Sequence, residues 1–378
     1  MRVGRSWIGI VVYLSAAVLA CGVGRAAGTP DYLLVDDVDE WHVEWFCGSP
    51  AVRHFLQGPK LEGAASGMLT FDSQGNAYVA CGTFIQIVTK DGRARLLTGS
   101  PGVAGNTDGP PWKATFAGAC DIAAAGDGLL YVVDSANFTV RKIEKKADGQ
   151  WHTEAIAGVS GKKGHRDGPG KQALFTTPFD SIAVDEKGVV YVLDANWLRK
   201  IEKGVVTTLN AGTGRRDGPL HQAQFNRIMG GVSSLAYDGQ GSLYVADRWN
   251  MAVRKVDLKK RFVTTAAGVL PGDKKGRPAD GRLFEARFHP GGGPVVAFFD
   301  TRHKYLIVRS ADEGGRIRRI AGGYVKTFGP AQGKKDRHVG PWRDVIGGSP
   351  CGVDAQGNVY VRGAGCIRVI KKKKAADK

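Results

Sequence analysis

Short apolar and β-branched runs, each closed by Gly, Asp or Asn, follow one another from about residue 67 to residue 370. One stretch shows the pattern in full: SIAVD (181–185), VVYVLD (189–194), LRKIEKG (198–204) and VVTTLNAG (205–212). Runs of this length, rich in Val, Ile, Thr and Tyr and bounded by turn residues, predict strands, and four in succession predict an antiparallel meander. No segment carries an apolar stripe at helical spacing, which argues against a helical array.

The runs repeat as a set. GLLYVVD (128–134) recurs as GVVYVLD (188–194), GSLYVAD (241–247) and GNVYVRG (357–363), with GNAYVAC (75–81) and KYLIVRS (304–310) as diverged copies. Tyr78, Tyr131, Tyr191, Tyr244, Tyr305 and Tyr360 mark six units. Six copies of a four-strand meander predict an all-β fold, a six-bladed β-propeller of four-stranded antiparallel blades. The sixth copy ends in lysines without a Val-Thr-Thr-like strand, whereas HVEWFCG (42–48) and VRHFLQG (52–58) precede the first copy as orphan strands. One of the two is expected to complete blade six and so close the ring, leaving no open edge between the first and last units. If HVEWFCG closes it, Cys47 lies near Cys366, the first-choice disulfide.

The recurring phrase contains Asp-Gly-Pro, Ala-x-Phe, Gly-x-apolar-Tyr-Val-x-Asp, Val-Arg-Lys and Val-Thr-Thr-x-Ala-Gly. It resembles the NHL repeat from about Gly67 to Ile370, most completely around Asp108–Pro110, Asp167–Pro169 and Asp217–Pro219. The first, fifth and sixth copies diverge: Cys81 and Gly363 replace the strand-ending Asp, and Asp280-Gly281 is followed by Arg282. The resemblance implies the same propeller. It also implies that an enzymatic member would be a zinc-dependent lyase or a calcium-dependent lactonase with its site at the central channel.

Most recurring polar residues have a structural explanation. Asp134, Asp194 and Asp247 precede Asn137, Asn196 and Asn250 in hairpins, where short Asx side chains satisfy turn backbone. Arg141, Arg199, Arg254, Arg318 and Arg368 recur once per unit and are expected to pair with a neighbouring acid. The Asp-Gly-Pro units read as tight corners that start a helical turn, as in PLHQAQF (219–225).

Composition adds context. With 43% hydrophobic residues, 24% charged and 54 Gly, the chain is globular and turn-rich. Residues 1–27 read as a secretory leader, with Arg2 and Arg5 ahead of an apolar run from Trp7 to Cys21, although a membrane anchor is the competing reading. Val18–Gly22 resembles a lipoprotein box that would lipidate Cys21. The expected division is therefore leader 1–27, one propeller 28–370 and a basic tail 371–378, in a monomer exported to the periplasm, the cell surface or the medium. Export favours disulfides over metal for Cys47, Cys81, Cys120, Cys351 and Cys366, which are otherwise core thiols.

Charge points to a function. The formal net charge of +17 falls only to +14 once Arg2, Arg5 and Arg25 leave with the leader. Four loops after the Val-Thr-Thr-like strands are basic: GKKGHRDG (161–168), GTGRRDG (212–218), GDKKGRPADG (272–281) and QGKKDRHVG (332–340). In a propeller these share a face with the hairpins carrying Trp197, Arg248 and Trp249. Lys162, Lys163, Arg166, Arg215, Arg216, Lys274, Lys275, Arg277, Lys334, Lys335 and Arg337 would then ring the channel mouth and attract an acidic protein, polysaccharide or anionic lipid surface. Solvated lysine-rich loops are the bland alternative. Nucleic acid is disfavoured by export and by the absence of an RNA-recognition motif.

No catalytic constellation stands out, and the chain is read as a noncatalytic scaffold or sensor that needs no cofactor. Under the enzymatic alternative Ca²⁺ or Zn²⁺ would sit in the channel. The candidates there are Asp121 and Asp180, with Ser234 at the same phase, and His289 before an innermost strand; they form a thin set beside the 6 to 8 oxygens calcium takes. There is no phosphate loop, nucleophile elbow or paired Cys and His signature.

Overall fold

A computed structural model of the protein describes residues 41–47, 67–90, 93–177, 179–226, 235–268, 279–288, 294–310, 317–328, 349–363 and 366–372. The described strands form six antiparallel sheets, each built on a meander of consecutive strands, with an earlier strand added at the outer edge of four of them. The innermost strands are Leu69–Phe71, Ala119–Ala124, Phe179–Val184, Leu235–Tyr237, Pro294–Asp300 and Ser349–Val353. Each touches the next, and the last touches the first, so the sheets close a ring. The protein is a six-bladed β-propeller.

The apolar runs are nearly continuous because each blade buries both faces. Successive strand residues point to opposite sides. In the second strand of blade three, Val190–Asp194, Val190 and Val192 pack toward blade two, whereas Tyr191 and Leu193 pack toward blade four. Six apolar clusters result, one between each pair of consecutive blades, including one between blades six and one built on Met68, Leu69, Val79, Cys351, Tyr360 and Val369.

Blade six is completed by Trp41–Cys47, which pairs antiparallel with Cys366–Lys372 in the register Trp41↔Lys372 to Cys47↔Ile367. HVEWFCG is thus the closing strand, and VRHFLQG lies outside the described residues. Cys47 stands opposite Ile367, one position from Cys366. The side chains of both cysteines lie outside the described residues, and so do residues 1–40, with Cys21, and 373–378. Among the described residues no helix is long and apolar enough to cross a membrane.

Two details differ from the sequence reading. Register places Val308 against Arg318 as Val132 stands against Arg141, so Ile307 occupies the tyrosine position in blade five and Tyr305 lies two residues early. The two residues share a strand face, which is why the apolar pattern concealed the shift. Second, the Gly-Pro of Asp-Gly-Pro adds a strand as well as turning a corner. Gly168–Pro169 and Gly218–Pro219 pair with the outer strands Val205–Thr208 and Phe262–Ala267, and Gly281–Arg282 does the same in blade five, giving these blades five strands. Gly168 and Gly218 both sit at φ 124°, which favours glycine there. The expected helical turns follow as single 3₁₀ turns, Gly170–Gln172 and Leu220–Gln222.

A chain lacking residues 41–47 leaves the third strand of blade six as an open edge beside an unsealed interface. It is expected to melt several degrees lower and to self-associate. Calorimetry and light scattering test this, and an unchanged melt of a monomer would show that closure contributes nothing.

Candidate functional site

The loops expected to carry function are held from beneath by one repeated cluster of side chains. Arg199 is fully buried on the third strand of blade three, Trp197–Glu202. Its Nη1 donates to Asp194 Oδ2 at 2.8 Å and to Leu174 O at 2.6 Å, and its Nη2 donates to Asp167 Oδ1 and to Arg166 O, both at 2.7 Å. The guanidinium carbon lies 4.7 Å from the Phe175 ring centroid. Arg141 repeats the arrangement with Asp134, Asp108, Thr107 O and Phe116, and Arg254 with Asp247, Asp217, Arg216 O and Phe225.

The expected pairing of the recurring Arg with an acid therefore holds in blades two to four, and more loosely in blade five, where Arg318 Nε lies 3.9 Å from Asp280 Oδ1. The sequence reading missed the second acid, the Asp of Asp-Gly-Pro, which it had assigned to a corner. That carboxylate also accepts the backbone N–H of the outer strand, from Ala155 to Asp108, from Thr208 to Asp167 and from Thr265 to Asp217. The constant co-occurrence of Asp-Gly-Pro and Val-Arg-Lys in one repeat was the available signal. Blade one replaces the hairpin Asp and the Arg by Cys81 and Gln86, whose side chains meet at 3.9 Å. In blade five Ser310 takes the Asp position, and Arg318 Nη1 donates to Arg287 O at 2.6 Å.

Of the four basic loops, 161–168 and 212–218 are described, and the hairpins between second and third strands pack against loops that join consecutive blades. Asn250 Nδ2 donates to Gly214 O at 2.7 Å, Asn196 Nδ2 to Thr213 Oγ1 at 2.9 Å and Asn137 Nδ2 to Gly105 O at 2.7 Å. Lys162, Lys163, Arg166, Arg215 and Arg216 are all exposed on these loops. Arg166 turns its Nε to Gln172 O at 2.8 Å. Trp197 is half-buried, its ring 4.2 Å from that of His165, and Gly212 backs it at φ 89°, where a Cβ would stand 2.8 Å from Trp197 Nε1. Arg248 is half-buried, and Trp249 is 43% exposed. Lys274, Lys275, Arg277, Lys334, Lys335 and Arg337 lie outside the described residues.

His165 was not singled out from the sequence beyond its loop position. It lies 3.6 Å from Asp194 Oδ2 through Nδ1 and 3.4 Å from Thr208 Oγ1 through Nε2, joining the loop surface to the buried cluster.

At the channel, Asp121 is buried and accepts backbone N–H from Ile122 and Ile182, both at 2.9 Å, with Ser181 Oγ at 3.4 Å. It fastens the innermost strand of blade two to that of blade three. Register corrects the expected phase: Asp121 faces Val133 as Ser181 faces Leu193, so Asp180 falls at the neighbouring bulge and not at the Asp121 position. Blade two carries the same bulge at Cys120, so Asp180 matches Cys120 and the one-residue offset lies in the sequence, Cys-Asp-Ile against Asp-Ser-Ile. Ser234 and His289 lie outside the described residues, among which no three His, Cys, Asp or Glu side chains converge. A cavity of about 320 Å³ runs between all six innermost strands, lined by Thr70, Ile182, Tyr237, Phe298 and Val353 among others. Cys120 donates to Val133 O at 3.7 Å, and its burial pushes the thiol well above its ordinary value.

No protein-family model matches the sequence. Human NHL repeat-containing protein 2 is 26% identical over 208 residues, which is 49% of this chain and 28% of that protein. The chloroplastic protein SUPPRESSOR OF QUENCHING 1 of Arabidopsis thaliana is 29% identical over 187 residues, 45% of this chain and 17% of that protein. The chain thus matches less than a third of either relative's length. A crystal structure of a Bacteroides thetaiotaomicron protein of unknown function superposes with TM-score 0.55 at 15% identity, over 87% of this chain and 75% of that one. The chain is a six-bladed β-propeller similar in sequence to part of an NHL repeat-containing protein.

Two outcomes follow for this propeller. Arg199→Met leaves Asp194 buried without its cation and is expected to cost about 3–5 kcal/mol in a urea titration; a loss under about 1 kcal/mol would remove the clamp role. Burial pushes the Asp247 carboxyl from 3.8 up to about 6 against the pull of Arg254. The folded state therefore binds the proton more tightly than the unfolded one, and the stability so gained is complete below pH 3.8 and lost as pH rises through 6. Relative to Asp247→Asn, the native protein should lose stability across that window, whereas a flat difference would refute the shift.

Proposed function

We propose that the protein is an exported, noncatalytic NHL-type propeller that binds an acidic protein or polymer through the basic loops and the hairpins beside them. One observation carries the reading. In consecutive blades the loops bearing Lys162, Lys163, Arg166, Arg215 and Arg216 expose their cationic ends while Arg199 and Arg254 grip the backbone carbonyls of Arg166 and Arg216. A loop held by its own carbonyl loses little further freedom on binding, so the charges it presents are preorganised.

The fields of cations at one phase of the ring add, and the net charge of +17 raises the local concentration of any polyanion. Trp249 and Trp197 supply apolar surface beside them. The unassigned loops with Lys274, Lys275, Arg277, Lys334, Lys335 and Arg337 would extend the same charge around the ring, and the leader with Cys21 would deliver it outside the cytoplasm.

Poly-glutamate titrated into the mature protein tests this. Affinity is expected to fall steeply as salt rises from 50 to 300 mM, in line with a screening length of about 10 Å at 0.1 M. Changing Lys162, Lys163, Arg215 and Arg216 together to Ser should weaken it about tenfold or more at low salt. Equal affinity of the two proteins would refute this face as the site.

A further inference from the structure

The blades are not equivalent at one register of the third strand. Lys142 in blade two, Lys200 in blade three and Lys255 in blade four each stand opposite the repeat tyrosine, Tyr131, Tyr191 and Tyr244. The first two are neutralised within their own blade. Lys142 Nζ lies 2.7 Å from Glu154 and 3.3 Å from Glu144, and Lys200 Nζ lies 2.7 Å from Glu202.

Lys255 has lost both kinds of partner. Thr264 stands opposite it on the outer strand, where blade two has Glu154. Asp257, two residues on, instead accepts the Lys260 N–H at 2.8 Å and lies 3.7 Å from Lys260 Nζ. Among the described residues no carboxylate comes within the 4.0 Å of an ion pair with Lys255, whose half-buried ammonium stands 5.8 Å from the Tyr244 ring centroid.

The same lysine lines a cleft of about 310 Å³ between blades four and five. Its walls are aromatic and aliphatic: Tyr244 and Phe299, stacked at 5.6 Å and 13°, with Leu306, Ile320 and Phe284. Phe284 is 60% exposed, where the two preceding blades carry Lys171 and His221. Lys304 is a second cation on the wall, and among the described residues no Asp or Glu lines it. The volume lies at the lower end of the roughly 300–1,000 Å³ typical of small-molecule sites.

We infer that this cleft is a second binding site, separate from the loops bearing Lys162, Lys163, Arg215 and Arg216, for a small aromatic carboxylate. The ring lies against Phe299 and Phe284, and the carboxylate meets the Lys255 ammonium. A cation held beside apolar walls attracts an anion more strongly than one in open water, because solvent screens it less. An aromatic ring against aromatic walls adds area burial and offset or edge stacking.

The test is fluorescence titration with 2-naphthoate at low salt. The native protein is expected to bind it saturably, at least tenfold more tightly than the neutral 2-naphthalenemethanol. Lys255→Met, which keeps the aliphatic stem, and Phe284→Ala are each expected to weaken 2-naphthoate about tenfold without shifting the melting temperature. The fourfold Ser variant of the basic loops should bind it as the native protein does, so failure of the loop reading and failure of this one remain distinguishable. Absence of saturable binding, equal affinity for the neutral alcohol, indifference to Lys255→Met, or loss in the loop variant would overturn the inference.

Discussion

Every blade must bury both of its faces, and the rest of the molecule follows from that requirement. A four-stranded sheet with apolar residues on both sides has no stable existence alone, since each face leaves several Val, Leu or Ile side chains in water at about 1.5–3 kcal/mol apiece. Stacking the next blade covers one face, and only a ring covers the last face of the last blade. The cluster joining Met68, Leu69 and Val79 to Cys351, Tyr360 and Val369 is where that ring shuts. Trp41–Cys47 completes the sheet on one side of that interface, which places the first described strand and the last in a single blade.

Within this packing the buried arginines do a different job. A guanidinium at 0–1% exposure would be costly if unpaired, but Arg141, Arg199 and Arg254 each find two carboxylates, two loop carbonyls and a phenylalanine face. One carboxylate is buried in the hairpin and the other is partly exposed on the Asp-Gly-Pro strand, so each Arg ties the end of a hairpin to the loop entering its blade. Backbone that would otherwise wander over the surface becomes part of the core. The exposed ends of Lys162, Lys163, Arg215 and Arg216 are presented from that fixed backbone. The blade-four and blade-five cleft arises from the opposite circumstance, a lysine whose glutamate partners have been replaced.

Blade count, the order of the four main strands and closure by a strand from ahead of the first unit, narrowed to two candidates, were legible in the sequence, because strands and turns leave local signals. Apolar runs, the residues that allow positive φ, and repetition at a fixed phase do not depend on what lies across the ring. That the recurring Arg pairs with an acid was legible too, and in blades two to four the acid is the hairpin Asp, only five residues away in the case of Asp194 and Arg199. What only the tertiary structure decided involves groups distant in sequence or separated by a single register step. Asp167 reaches Arg199 across 32 residues, and nothing local distinguishes it from a turn aspartate. Ile307 takes the place of Tyr305 at the repeat position, since a two-residue shift preserves the strand face, and Asp180 stands one register step from the Asp121 position, at the bulge that both blades share. The cleft at Lys255 is the furthest from sequence, since it needs two blades, a lost ion pair and an exposed phenylalanine to meet, and only the closed ring brings them together.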